Sequence, residues 1–267
     1  MTIGWTPVVV SLGPVEVRWL SLLVLAGLGL GIWGTLREAR ARRLPRGRVL
    51  DALAWAIPVG VISAWLVHLL GWWDSYLTRP ADILRLSPDT LSLWGGLVGG
   101  GLVAAAALGH DPGRRTRIFD VAVPWAALGI AVGRLGMFVD GLGQGLPTDL
   151  PWATRYTNPL SSTPDFGVPR HPAQLYDGLV ALTLFVLLRA AAGRMPDGSR
   201  LWLGVAGYGL ARVALGAVRL EPAFLFGVQI EQMIAAACVA LAVARGLGYV
   251  RRGLAIRRQP RAAKQVA

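Results

Sequence analysis

The apolar and polar positions along this chain alternate on the scale of a bilayer. Apolar runs approaching the roughly 20 residues needed to cross one fall at about 17–36, 50–71, 92–109, 118–138, 172–190, 201–218 and 226–246. The third is mostly Gly, Ala, Leu and Val. All seven are predicted to be helices. Residues 1–15 carry no basic n-region, and the apolar run beyond Arg18 is too long for the core of a secretory signal, so the first run is expected to be an uncleaved helix.

The polar stretches orient these spans. Arg37, Arg40, Arg42, Arg43, Arg46 and Arg48 lie between the first and second runs, and further arginines crowd the stretches before the fourth and sixth runs and the tail. The opposite side carries only Arg18, Arg79, Arg85, Arg155, Arg170 and Arg219. Basic loops stay in the cytoplasm. The expectation is therefore an all-α polytopic membrane protein of about seven transmembrane helices, with its N-terminus outside and its C-terminus cytoplasmic. Residues 1–248 form one membrane domain, and 249–267 form a basic, disordered cytoplasmic tail. The longest loop, 139–171, lies outside and holds Pro147, Pro151, Pro159, Pro164 and Pro169. Trp72, Trp73, Trp152 and Tyr156 are read as aromatic anchors at the outer interface.

Composition agrees: of 267 residues, 54% are hydrophobic and 16% charged. The net charge of +12 is accounted for by topology and anionic inner-leaflet lipid, not by nucleic acid. The single cysteine, Cys238, lies in an apolar run and reads as a packing residue. His68 and His110 read as structural or solvated. No metal site or cofactor motif is found.

Two arginines escape the topological explanation. Arg134 lies within the fourth run and Arg212 within the sixth. A charge at that depth costs about 2.5 to 3.5 kcal/mol on insertion scales, so such residues face a bundle interior and bind something negative. Arg134 sits in Gly133-Arg134-Leu135-Gly136-Met137-Phe138, followed by Gly141, Gly143 and Gly145. Glycines let a ligand or backbone approach, and a planar guanidinium suits a phosphodiester. Asp140 is the near carboxylate that could neutralise it. Tyr208 and Arg212, four residues apart, share a helical face. At the outer mouth of the fifth run, His171-Pro172-Ala173-Gln174-Leu175-Tyr176-Asp177 starts a helix at Pro172 and puts Gln174 and Asp177 on one face. Asp177 also suits the helix dipole as a cap. Arg219 reads by default as a snorkelling interface residue. Trp94-Gly95-Gly96-Leu97-Val98-Gly99-Gly100-Gly101 permits either close helix contact or a lipid-tail groove.

In order along the chain, these motifs resemble the bacterial phosphatidylglycerol–prolipoprotein diacylglyceryl transferases. Gly13-Pro14 and Arg18-Trp19 are similar to the family's first-helix opening. Asp120, Pro124 and Gly133 to Phe138 resemble its glycine-arginine signature, and Pro147 to Trp152 the loop that follows. His171 to Asp177 resembles its His-Pro-x-Gln-Leu-Tyr-Glu. Tyr208, Arg212, Arg219 and Gln232 match residues of the last two helices. The family's His-Gly-Gly-Leu reads Trp94-Gly95-Gly96-Leu97 here. Met137, Asp140, Leu142, Leu20, Gly216 and Trp65 stand at further positions where the family pattern has other polar residues.

The resemblance implies an inner-membrane enzyme that moves diacylglycerol from phosphatidylglycerol to the lipobox cysteine of preprolipoproteins. In that reading Arg134 and Arg212 hold the phosphate, with His171 or else Tyr208 as general base. Gly133, Gly136, Gly145, Gly95, Gly96, Gln174, Tyr176, Asp177, Arg219 and Asp140 line the substrate site. The competing expectation is a silent homologue that binds anionic lipid or signal peptides.

Overall fold

The computed structural model describes residues 1–258, apart from 14, 85, 86 and 223. Pro14 and Arg85, used above, and the last part of the expected tail, 259–267, lie outside the described residues. Each of the seven predicted runs is a helix: α1 (Trp19–Ala41), α2 (Arg46–Gly71), α4 (Leu93–Ala107), α5 (Pro112–Asp140), α6 (Ala173–Ala190), α7 (Ser199–Leu215) and α8 (Ile230–Arg258). A short α3 (Trp73–Thr78) and two 3₁₀ turns, Pro80–Leu84 and Pro88–Thr90, fill the loop between α2 and α4. α8 continues through Arg258, into the segment read as tail. By length and composition α1, α2, α5 and α6 can cross a membrane, while α4, with 15 residues, and α7, with 17, are shorter. Leu25, Trp55, Leu102, Leu179 and Leu210 point outward from mid-helix. Such an apolar belt belongs against lipid, and the molecule is a multi-pass helical membrane protein.

The helix ends are set by local chemistry. Asp111 caps α5, its carboxylate accepting from the Arg114 backbone N–H at 3.1 Å, and Pro112 takes the first helical position. That hydrogen bond is the main reason the Asp111 carboxyl sits below its ordinary pKa. Gly141 ends α5 at φ 87°, and a Cβ there would lie 3.2 Å from the Tyr156 ring. Ser92 caps α4 by accepting from Gly95 N–H at 3.2 Å. Asp120 of α5 reaches across to the start of α7, accepting from the backbone N–H groups of Gly198 at 2.5 Å and Leu201 at 2.7 Å.

Glycine decides which helices touch. A Cβ on Gly27 of α1 would lie 2.4 Å from the Gly129 carbonyl oxygen of α5, so those backbones cross in near contact. The α4 glycine run does the same against α2: a Cβ on Gly95 would lie 2.6 Å from the Ser63 oxygen, and one on Gly100 2.8 Å from the Ala56 oxygen. Of the two uses open to this run, close helix contact is the one realised. Gly95 and Gly96, expected in the substrate site, instead face α2 backbone.

One feature of the fold was not expected. The N-terminal segment forms β1 (Thr2–Ile3), which pairs in parallel with β4 (Arg155–Tyr156) of the long loop, and a hairpin of β2 (Val8–Leu12) with β3 (Val15–Arg18). The terminal amine donates to Ala153 O at 2.6 Å, and Trp5 Nε1 to Val139 O at 3.1 Å. Tyr156, expected at the interface, is fully buried by this pairing and donates its hydroxyl to Phe138 O. Burial raises its pKa.

Candidate active site

Arg134 on α5 and Arg212 on α7 both turn inward and are 6% and 2% exposed. Gly178 lets α6 close on Arg134, for a Cβ there would lie 3.2 Å from the Arg134 Cβ. Arg134 Nη2 pairs with Asp177 Oδ2 of α6 at 2.8 Å, and its Nη1 lies 2.9 Å from Met137 Sδ. Its Nε–H has no partner among the described residues. Arg212 Nε pairs with Glu231 Oε2 of α8 at 3.1 Å. Its Nη2 donates to Glu221 and, at 3.1 Å, to Gln229 Oε1, while its Nη1 has no partner among the described residues.

Arg219 joins the two halves. Its Nη1 lies 3.3 Å from Asp177 Oδ2 and its Nε 2.6 Å from Glu221 Oε1. Tyr208 donates to Asp177 Oδ1 at 2.6 Å, and Ser92 Oγ to Glu231 Oε1 at 2.6 Å. Arg134, Asp177, Arg219, Glu221, Arg212 and Glu231 thus form one continuous buried chain of alternating charge. Burial would raise the Glu221 pKa, but Arg219 and Arg212 outweigh it and hold this loop carboxylate below its ordinary value. Such a cluster is costly to break: removing one partner of a buried pair destabilises by about 3–5 kcal/mol.

This corrects one expectation and extends another. Asp140 is not the partner of Arg134. It is taken by Arg18 Nε at 2.7 Å, which ties the N-terminal hairpin to the end of α5. Neither central arginine is bare; each has acidic partners supplied by α6, α8 and the loop after α7. Arg219 does not snorkel but is buried in the same chain. The residues missed from sequence are Glu221, Glu231, Gln229 and Ser92. Two glutamates flanking a helix start in an otherwise apolar stretch were the available signal.

The remaining predicted residues divide between the site and its scaffold. A Cβ on Gly145 would lie 2.3 Å from Val218 O and 2.8 Å from His171 Cβ, so Gly145 brings His171 and the Val218–Arg219 segment together. Its N–H donates to His171 O at 2.8 Å. His171 Nδ1 lies 3.3 Å from the Tyr176 hydroxyl, which accepts from Trp152 Nε1 at 2.7 Å. Gln174 is buried, its Nε2 3.5 Å from the Tyr156 hydroxyl and its Oε1 unpaired. Gly136 packs on α1, a Cβ there meeting Leu23 at 3.0 Å, whereas Gly133 has only Val24 at 3.8 Å. Trp94 fills the core beneath the cluster, stacked on Tyr208 with ring centroids 5.6 Å apart and its Nε1–H unpaired. A Cβ on Gly216 would meet the Gln232 amide at 1.8 Å, so that side chain occupies the space a larger residue would need.

A cleft of about 470 Å³ opens between α7 and α8 beside this cluster, lined by Val213, Gly216, Glu221, Gln229, Gln232 and Met233 among others. Its wall is mainly apolar, and Glu221 and Gln229, both bonded to Arg212, form its polar end. The arrangement suits the hydrocarbon part of an amphipathic molecule, with the polar end beside Arg212's partners.

A family model described as prolipoprotein diacylglyceryl transferase matches residues 7–247. Several curated relatives carry the name phosphatidylglycerol–prolipoprotein diacylglyceryl transferase. That of Rhodospirillum centenum is 36% identical over 248 residues, covering 85% of this chain and 86% of its own length. That of Dehalococcoides mccartyi (strain 195) is 33% identical over 241 residues, with 89% and 91% covered. That of Synechococcus elongatus is 31% identical over 251 residues, with 89% and 85% covered.

Proposed function

This chain belongs to the prolipoprotein diacylglyceryl transferase family, and from that premise we propose that it transfers the diacylglyceryl group of phosphatidylglycerol to the lipobox cysteine thiol of preprolipoproteins in the bacterial inner membrane. The observation that carries the site assignment is the buried charge chain, with unpaired N–H groups on Arg134 and Arg212. Three guanidinium groups and three carboxylates balance there, and the two vacant donors suit the oxygens of one phosphodiester. The acyl chains lie in the cleft between α7 and α8.

In the reaction the cysteine sulfur bonds to the glyceryl carbon as the carbon–oxygen bond to phosphorus breaks, and glycerol phosphate leaves with the electron pair. Negative charge grows on the phosphate oxygens, and Arg134 and Arg212 stabilise it in a dry site. His171, at the rim beside Gly145, accepts the thiol proton. Tyr208 donates its proton to Asp177 at 2.6 Å and so holds that carboxylate beside Arg134; a phenol bound in this way is no base for the thiol, which leaves His171 in that role. Trp94 shapes the pocket by stacking on Tyr208 and offers its N–H to a ligand oxygen. The names of the relatives favour transfer over a silent binding role.

We place α4 and α7 across the bilayer with the other five long helices, giving seven crossings. The ends that gather around Met1, Asp140 and Arg219 face outward, and the basic ends near Ala41 and Asp111 face the cytoplasm. The test is complementation in cells depleted of their own transferase, with a labelled phosphatidylglycerol and a model preprolipoprotein. Thioether-linked diacylglycerol is expected with the native chain, and a loss of at least about 100-fold with Arg134→Ala or Arg212→Ala. Transfer that survives both substitutions would remove the site.

A further inference from the structure

A second charge cluster lies at the other end of the bundle. α6 runs from the candidate active site at Ala173 to Ala190, a rise of about 27 Å. At that far end Glu38 of α1 is buried and accepts from four donors: Arg42 Nε at 3.0 Å, Arg200 Nη1 at 3.1 Å, Trp125 Nε1 at 3.0 Å, and Arg189. Three guanidinium groups therefore share one carboxylate. Asp120 of α5 accepts from the backbone of Gly198 and Leu201 and also interacts with Arg200. Asp197 is paired with Arg117. Arg200 is buried, and its Nη2 has no partner among the described residues.

The platform under these groups is built. Gly34 leaves the space that the Trp125 indole fills, for a Cβ there would lie 2.0 Å from the ring. So seated, Trp125 gives its N–H to Glu38 and its face to Arg189, whose guanidinium carbon is 5.2 Å from the ring centroid. Trp33 stands edge-on to Trp125 at 5.9 Å and carries Arg37 on its own face at 5.2 Å. The Arg189 and Arg42 side chains are 39% and 36% exposed, so each keeps donors on the outer side.

We propose that Arg42, Arg189 and Arg200 around Glu38 form a binding site for the phosphate of an anionic phospholipid headgroup in the leaflet opposite the candidate active site. Three guanidinium groups against Glu38 and the neighbouring Asp120 leave the cluster with excess positive charge at headgroup depth. A phosphodiester completes it, bridging the outward donors of Arg42 and Arg189. The proposal requires only that the helices span a bilayer, and it stands or falls independently of the transferase reading.

The full chain is reconstituted in vesicles of phosphatidylcholine alone or of equimolar phosphatidylcholine and phosphatidylserine. Retained lipid is then counted by native mass spectrometry. The native chain is expected to retain phosphatidylserine over phosphatidylcholine. The R42Q/R189Q variant should lose about 25-fold in that preference, about five-fold for each arginine. Its melting midpoint in phosphatidylcholine alone shows whether it folds; if it does not, the single variant R189Q, with an expected loss of about five-fold, takes its place. Equal retention by the native chain and the folded variant overturns the site. Stabilisation of the native chain by inorganic phosphate equal to that by phosphatidylserine overturns the lipid as its source.

Discussion

Each buried arginine of the candidate site is paired with carboxylates, most of them from distant parts of the chain. Glu221 shows how finely this is balanced. Burial alone would favour its neutral form, yet Arg219 at 2.6 Å and the neighbouring Arg212 keep it ionised. Its pKa in the folded protein is lower than the ordinary glutamate value of 4.5. A carboxylate lowered on folding adds stability above its unfolded pKa and loses it as pH falls through the folded one. The native chain in detergent should therefore keep its melting midpoint from neutrality down to about pH 4.5 and lose it below. Glu221→Gln should lower the midpoint at pH 7 and flatten part of that acid limb. An acid limb identical in the two proteins would show that Glu221 carries none of it. The arginines of this site were legible in sequence because charge in an apolar run is conspicuous. Their partners were not. Asp177 read as a helix cap, and Glu221 and Glu231 lie 9 and 19 residues from Arg212 in the chain, beyond the reach of any helical spacing rule.

At the scale of elements, glycine does the work that apolar burial does in water. Lipid is as apolar as leucine, so helices associate through close backbone approach rather than expulsion of water. The α1–α5 crossing at Gly27 and Gly129 carries this furthest. Gly27→Ala would set a methyl 2.4 Å from a backbone oxygen that cannot swing aside. The expected cost is about 1–3 kcal/mol, read as a lower melting midpoint in detergent. Gly29, where a methyl would meet nothing within 4 Å, is the control, and Gly29→Ala should leave the midpoint unchanged or raise it. Equal effects at the two positions would deny the crossing its role. Apolar run length located all seven long helices, and the α4 glycines signalled tight contact. The N-terminal hairpin and the β1–β4 pair escaped because such short strands carry too little alternation to register. The β1–β4 pair joins Thr2 to Arg155 and Ile3 to Tyr156, far apart in the chain, and Arg18–Asp140 ties the hairpin to the end of α5.

For the whole molecule, the two charge clusters define opposite ends. The first gathers arginines against equal numbers of acids, deep between α5, α6, α7 and α8. The second gathers arginines in excess of acids beside the basic loops. The N-terminal arm, the Phe166 loop and the His171 turn close over the first end, while the turns at His110 and Asp197 border the second. The first cluster is balanced in charge, whereas the excess of guanidinium in the second, beside the basic loops, is the kind of charge that stays on the cytoplasmic side. The orientation that follows is open to direct measurement. With Cys238→Ser as background, Phe166→Cys and His110→Cys each place one exposed thiol on one end. A membrane-impermeant maleimide applied to intact spheroplasts should label Phe166→Cys at once and His110→Cys only after lysis. The reverse pattern would put the charge chain, and the lipid phosphate assigned to it, on the cytoplasmic side, where no preprolipoprotein cysteine emerging from the membrane's outer face could meet it.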